Sequence, residues 1–192
     1  MSSTNRGGQR HISDYYVTPI YEVSHFLKSL KQTIPNILSE NISILDPCAG
    51  GDLYNEMSYP IALQNEGIRA EQITTIDCRE DSKASIKEDY LTYTPNHMFD
   101  LVITNPPFDL AMPIILKALS ETLVGGYVIM LLRLNFFGSG RRFNFWQSNM
   151  PEYTFVHHSR ISFTGGTTDS IEYMHAVWRV GYNPEYTKLK VI

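Results

Sequence analysis

Apolar positions in this chain fall in short runs, separated by polar turns containing glycine and proline, and between several runs the spacing changes to that of a helix. Ile20, Val23, Leu27, Leu30 and Ile34 follow helical spacing down to Pro35, with Thr18-Pro19 reading as N-cap and first helical residue. A strand is predicted over 42–45, a helix from about 59 to 65 that Gly67 closes, and a second strand over 73–76. A short helix is expected before Asp89. Phe99, Leu101, Val102 and Ile103 mark a buried strand over 99–104, which the Pro106-Pro107 pair stops because neither proline can donate to a ladder. Asp109 can cap the next helix, which Gly125-Gly126 ends, and 127–132 is a further apolar strand. An amphipathic helix is predicted around 140–149, and 153–158 with 173–180 alternate as an antiparallel hairpin. Strands alternating with helices predict an α/β fold: a mostly parallel sheet with helices on both faces, and a site along the carboxyl edge of its strands.

The chemistry-bearing residues gather at those strand ends. Asn105-Pro106-Pro107-Phe108 presents an amide oxygen, a carbonyl without a competing local donor and an aromatic face, which suits a planar amine-bearing group. Alone, the tetrapeptide equally fits a strand-ending turn. Asp46-Pro47-Cys48-Ala49-Gly50-Gly51-Asp52 follows the first strand with small residues that let a ligand approach the backbone, and its acids favour a ligand carrying positive charge. Asp77 ends the second strand, where an acid commonly accepts both hydroxyls of a ribose; a cap for the acidic stretch behind it is the plainer role. Asp89 and Tyr90 offer an edge and a face to an adenine.

Composition narrows the classes. With 192 residues and 43% hydrophobic content the chain can bury one core, so a single domain over 14–192 is expected behind a flexible segment 1–13. The net charge of -4 gives no global attraction to nucleic acid, so such contact must be local. Arg133, Arg141, Arg142 and Arg160, interleaved with Phe136, Phe137, Phe143, Phe145 and Trp146, supply such a patch; the alternative is an amphipathic helix with core aromatics. Two cysteines, Cys48 and Cys78, are too few for a disulfide framework, and no His/Cys cluster has metal-ligand spacing. The polar start and the absence of a membrane-length apolar run predict a reduced, soluble, cytoplasmic protein. The 162–170 loop, with Gly165-Gly166, reads as a substrate loop.

From Tyr15 to Tyr182 these motifs stand in the order of a known family. The chain resembles S-adenosylmethionine-dependent amino-methyltransferases of the class I, Rossmann-like type that methylate N6 of adenine in DNA, and especially the small phage and prophage enzymes. The resemblance implies that Tyr16, Thr18 and Pro19 support the methionine end of the cofactor. Asp46, Pro47, Cys48, Ala49 and Gly50 would form the cofactor loop, Asp77 and Cys78 the ribose corner, and Asp89 and Tyr90 the adenine contact. Asn105, Pro106, Pro107 and Phe108 would be catalytic, Arg133, Arg141, Arg142 and Arg160 would hold DNA, and Phe163 would sandwich a base that is flipped out or single-stranded. No metal is implied. The loop departs from relatives by lacking a further glycine, Pro60 interrupts the following helix, and no segment remains for a target-recognition domain. Sequence reading would then fall to residues 133–170, to the N-terminus, or to a second subunit or homodimer partner. Enzymes acting on RNA adenine or guanine or on protein glutamine share the corner, though glutamine enzymes usually carry Tyr where this chain has Phe108. A non-catalytic cofactor-binding module is the remaining alternative.

Overall fold

The computed structural model describes residues 16–163 and 171–192; the expected flexible segment 1–13 and most of the 162–170 loop lie outside them. Seven strands form one sheet in the order β2-β1-β3-β4-β6-β5-β7. They are β1 (Ile44–Asp46), β2 (Ile73–Thr75), β3 (Phe99–Thr104), β4 (Thr122–Arg133), β5 (Tyr153–Val156), β6 (Tyr173–Arg179) and β7 (Lys188–Val191). Neighbours β2-β1, β1-β3, β3-β4 and β5-β7 are parallel; β6 alone runs against both of its neighbours, β4 and β5.

Alternation along the strands divides the core between the two faces. Leu101, Ile103, Ile129, Phe155 and Val177 point to the side covered by α1 (Ile20–Thr33) and α2 (Ser58–Asn65), through Val23, Phe26, Leu27, Leu30, Ala62 and Leu63. Val102, Val128, Met130, Leu132, Ala176 and Trp178 point to the side covered by α3 (Ala111–Glu121) and α4 (Phe143–Ser148), through Ile114, Ile115, Phe145 and Trp146. Helices on both faces require strands buried on both faces, which is why the inner strands read as unbroken apolar runs.

Several sequence expectations shift. The first helix begins at Ile20 with Pro19 outside it and without a side-chain cap, because the Thr18 hydroxyl is engaged by Asn105 instead. No helix precedes Asp89: Ile86 makes a single bridge to Ile76 and the chain continues through turns, a stretch of alternating small and charged residues having no apolar face to dock. The helix expected to run to Gly125-Gly126 ends at Glu121, after a 3-10 turn at Phe108–Leu110. The glycine pair lies inside β4, where the pairing with β3 shifts register. A Cβ at Gly126 would sit 2.6 Å from the Asp100 carbonyl oxygen, so the close approach there demands glycine. β7 is an element the sequence pattern does not predict; all four of its residues are exposed and it forms a sheet edge.

Candidate active site

The loops after β1, β2 and β3 meet above the carboxyl edge of the sheet and enclose a cleft of about 900 Å³, its open mouth included. Pro47 to Gly51 follow β1, Asp77 to Arg79 follow β2, and Asn105 to Phe108 follow β3. Tyr16, Val17 and Thr18 close it from the approach to α1, Ser58 and Tyr59 from the start of α2, and Asp89, Tyr90 and Leu91 from the turn region beyond β2. Convergence at the point where strand order reverses from β1 outward is the expected site of a parallel sheet.

The β1 loop is tied down from below. Asp46 is fully buried and does not line the cleft; its Oδ1 accepts the Thr104 hydroxyl (2.6 Å) and the Cys48 N–H (3.3 Å). Its reading as an acid facing the ligand is therefore corrected: it holds the loop to β3. Burial pushes its carboxyl up to about 7, with the Thr104 and Cys48 hydrogen bonds opposing. Gly50 and Gly51 take positive φ, 68° and 74°, the conformation open to glycine. Pro19 also lies off the cleft. The Cys48 thiol is pushed well above its usual range by burial and by the charges of Asp46 and Asp77, so it is a packing group rather than a nucleophile.

Asp77 is buried at the cleft wall. Its Oδ2 accepts the Gly50 N–H (2.8 Å) and keeps a second lone-pair direction, while its Oδ1 accepts the Arg79 N–H (2.9 Å). The Arg79 guanidinium lies 3.3 Å from the same carboxylate and donates to the Gly51 carbonyl (2.8 Å), joining the first two loops. Sequence reading misses Arg79 because it falls within the acidic stretch behind Asp77. Asp89 accepts the Leu91 N–H and stays exposed. Tyr90 is buried; its hydroxyl donates to Glu121 (2.7 Å), and Lys117 sits over its ring.

At the β3 corner Asn105 Nδ2 donates to Thr18 Oγ1 (3.1 Å), which fixes the amide with Oδ1 as its other end. That oxygen is buried and accepts no hydrogen bond among the described residues. Phe108 packs with Phe163 and Tyr173 in a small cluster, and the Arg133 guanidinium covers its ring at 4.1 Å. Arg133 Nε is likewise buried without a hydrogen-bond partner.

The other arginines differ in what holds them. Arg142 donates from Nε to the Phe136 carbonyl (2.8 Å) and covers the Phe136 ring, so it belongs to the fold. Arg160 pairs with Glu172 across an exposed gap of 3.4 Å, and Arg141 is exposed. Phe145 and Trp146 are core, whereas Phe143 is 61% exposed. None of these, nor Phe163, lines the cleft. Residues that only the structure brings to it include Ser58, Tyr59, Leu110 and Ile114.

No protein-family profile and no curated protein matches the sequence. Solved structures do match. A Listeria monocytogenes protein assigned as a class I S-adenosylmethionine-dependent methyltransferase superposes with TM-score 0.61 at 16% identity, over 92% of this chain and 65% of that one. A Pyrococcus horikoshii protein assigned as an RNA methyltransferase gives 0.63 at 16% identity, over 91% and 93%. The M protein of the type I restriction enzyme EcoKI gives 0.58 at 12% identity, over 92% of this chain and 48% of that one. This chain thus spans under two thirds of the first and about half of the third. At such identities the likeness is one of architecture: the chain has the Rossmann-like class I methyltransferase fold.

Proposed function

We propose that the protein transfers a methyl group from S-adenosylmethionine to the exocyclic N6 amine of adenine in DNA. The observation that carries this is the buried, unpartnered Asn105 Oδ1 beside the Pro106 carbonyl and the Phe108 ring at the cleft. An acceptor held in place and left unsatisfied costs about 1–3 kcal/mol unless a ligand donor reaches it. A primary amine on a planar base is such a donor.

The cleft fits the cofactor by its donor set. Asp77 Oδ2 keeps a lone pair for a ribose hydroxyl, Tyr90 and Leu91 offer apolar surface with the Asp89 carboxylate beside it, and Tyr16 and Thr18 close the opposite end. S-adenosylmethionine supplies, when bound, an electrophilic methyl on a sulfonium. Asn105 Oδ1 and the Pro106 carbonyl hold the two amine protons, which draws the nitrogen lone pair out of conjugation and aims it. Phe108, backed by Arg133, supplies a face for the base. Positioning of this kind supplies much of a rate enhancement without a strong base. The base must leave a duplex to reach the corner.

The EcoKI M protein shares the fold; specificity supplied by a partner subunit or second copy is part of this proposal. The test is incubation with labelled S-adenosylmethionine and unmethylated DNA, RNA or protein, followed by nucleoside and amino-acid analysis. N6-methyladenine in DNA is expected. Label confined to RNA bases or to glutamine would overturn the acceptor, and no transfer with retained cofactor binding would overturn the activity.

A further inference from the structure

Behind the cleft, four buried polar side chains are joined end to end. Tyr59 Oη lies 2.9 Å from His175 Nε2, His175 Nδ1 lies 2.9 Å from His157 Nε2, and His157 Nδ1 lies 3.2 Å from Glu22 Oε2. Tyr59 comes from α2, His175 from β6 and Glu22 from α1, while His157 directly follows β5. None is more than 5% exposed, and Phe26 stacks on the His175 ring at 3.8 Å. A buried polar array is retained at a cost unless each member is satisfied, and here each is.

The chain has one direction. Glu22, as a carboxylate, only accepts. His157 therefore carries its proton on Nδ1 and accepts at Nε2, so His175 donates from Nδ1 and accepts at Nε2. The donor left for that nitrogen is the Tyr59 hydroxyl. Its single proton is committed to His175, and the oxygen has only lone pairs to offer a ligand.

We propose that Glu22, His157 and His175 hold Tyr59 as an obligate acceptor that binds the α-ammonium group of the cofactor's amino-acid portion; this rests on the cofactor reading above. Tyr59 lines the cleft beside Thr18, to whose carbonyl the neighbouring Ser58 hydroxyl donates (2.6 Å), at the end assigned to that portion. Above about pH 7, where Asp46 is ionised, its charge also acts on Tyr59, and the field there favours a cation over a carboxylate. An added proton reverses the chain: His175 then donates from Nε2 and the Tyr59 proton turns toward the ligand. Burial holds both histidines below their usual range, so reversal belongs to acid conditions. The other groups facing the chain are His25 on α1, His158 beside His157, and Asp46.

Calorimetry with S-adenosylhomocysteine, and with 5′-methylthioadenosine, which lacks the amino-acid portion, tests this on wild type and Tyr59→Phe. Losing a hydrogen bond to a charged group should weaken S-adenosylhomocysteine about 10- to 100-fold and leave methylthioadenosine unchanged. Wild-type affinity for S-adenosylhomocysteine should also fall as pH is lowered below about 6.5, by more than in Tyr59→Phe or in His175→Phe, where only the titration of Asp46 remains. Methylthioadenosine serves as the folding control. Equal loss of both ligands, or no loss of either, overturns the inference while leaving the cofactor reading intact. Wild-type protein that binds neither overturns both.

Discussion

Arg133 lies across the ring of Phe108, its guanidinium carbon 4.1 Å from the ring centroid, so the last aromatic of the Asn105–Phe108 corner is backed by a cation from the end of β4. Such a contact, partly desolvated, contributes about 1–2 kcal/mol. It also fixes the plane of the ring on which a base would stack. Arg133→Ala should lower turnover about tenfold or more, with cofactor affinity within a few-fold of wild type. Single-turnover methylation beside calorimetry checks this; unchanged turnover would show that the ring is oriented without the arginine.

Asn105→Ala should reduce methyl transfer by at least about a hundredfold, the scale for removing one preorganised polar group at a reacting centre. Stability should change little, because Asn105 Oδ1 has no partner to lose and only the Thr18 contact disappears. Thr18→Val leaves the amide in place without its anchor and should give an intermediate loss. Rates and melting curves of the two variants, measured together, decide the order.

Asp46 gives stability an unusual sign. Its carboxyl stands at about 7 in the fold against an ordinary 3.8, so between those values the folded state keeps a proton that the unfolded chain releases. Its contribution is fully present below 3.8 and is lost as pH rises through 7. The buried histidines act oppositely: both are held below their usual 6.5, and their contribution is lost as pH falls below it. Asp46→Asn removes the first effect alone. Its stability relative to wild type should rise from pH 4 to pH 7 by up to about 4 kcal/mol, read from denaturant titrations across that range. A difference independent of pH would mean that Asp46 is ionised throughout.

Arg141 and Arg142 are adjacent in sequence and should separate in function. Arg142→Ala loses the Phe136 carbonyl bond and ring contact, and should destabilise by about 1–2 kcal/mol without altering the salt dependence of DNA binding. Arg141→Ala should keep its melting temperature and flatten the log affinity against log salt slope by about one unit. Fluorescence anisotropy in a salt series, with melting curves, distinguishes the two.

The strand-tip motifs are legible because each combines an apolar run with residues that cannot extend it, such as Pro106-Pro107 or Gly50-Gly51. Motif reading places ligand groups at strand ends, but it cannot see depth: Asp46 lies one residue before Pro47 yet faces Thr104 rather than the cleft. Partners distant in sequence are equally invisible. Arg79 reaches Gly51, and His175 reaches Tyr59, across contacts that no local pattern encodes. β7 escapes because an edge strand exposed on both faces has no alternation to bury.

The reversal of β6 has an evolutionary consequence. Val156 at the end of β5 pairs with Met174 near the start of β6, and Arg133 at the end of β4 pairs with Tyr173, so the connection between β5 and β6 begins and ends at the edge that carries Asn105. A segment anchored at both ends on one rim can lengthen or shorten without disturbing the sheet. Each doubling of its length adds only about 0.6 kcal/mol of closure entropy. Under the proposed function, acceptor preference can drift by insertion at a single point in the chain, while the loops assigned there to the methyl donor stay as they are.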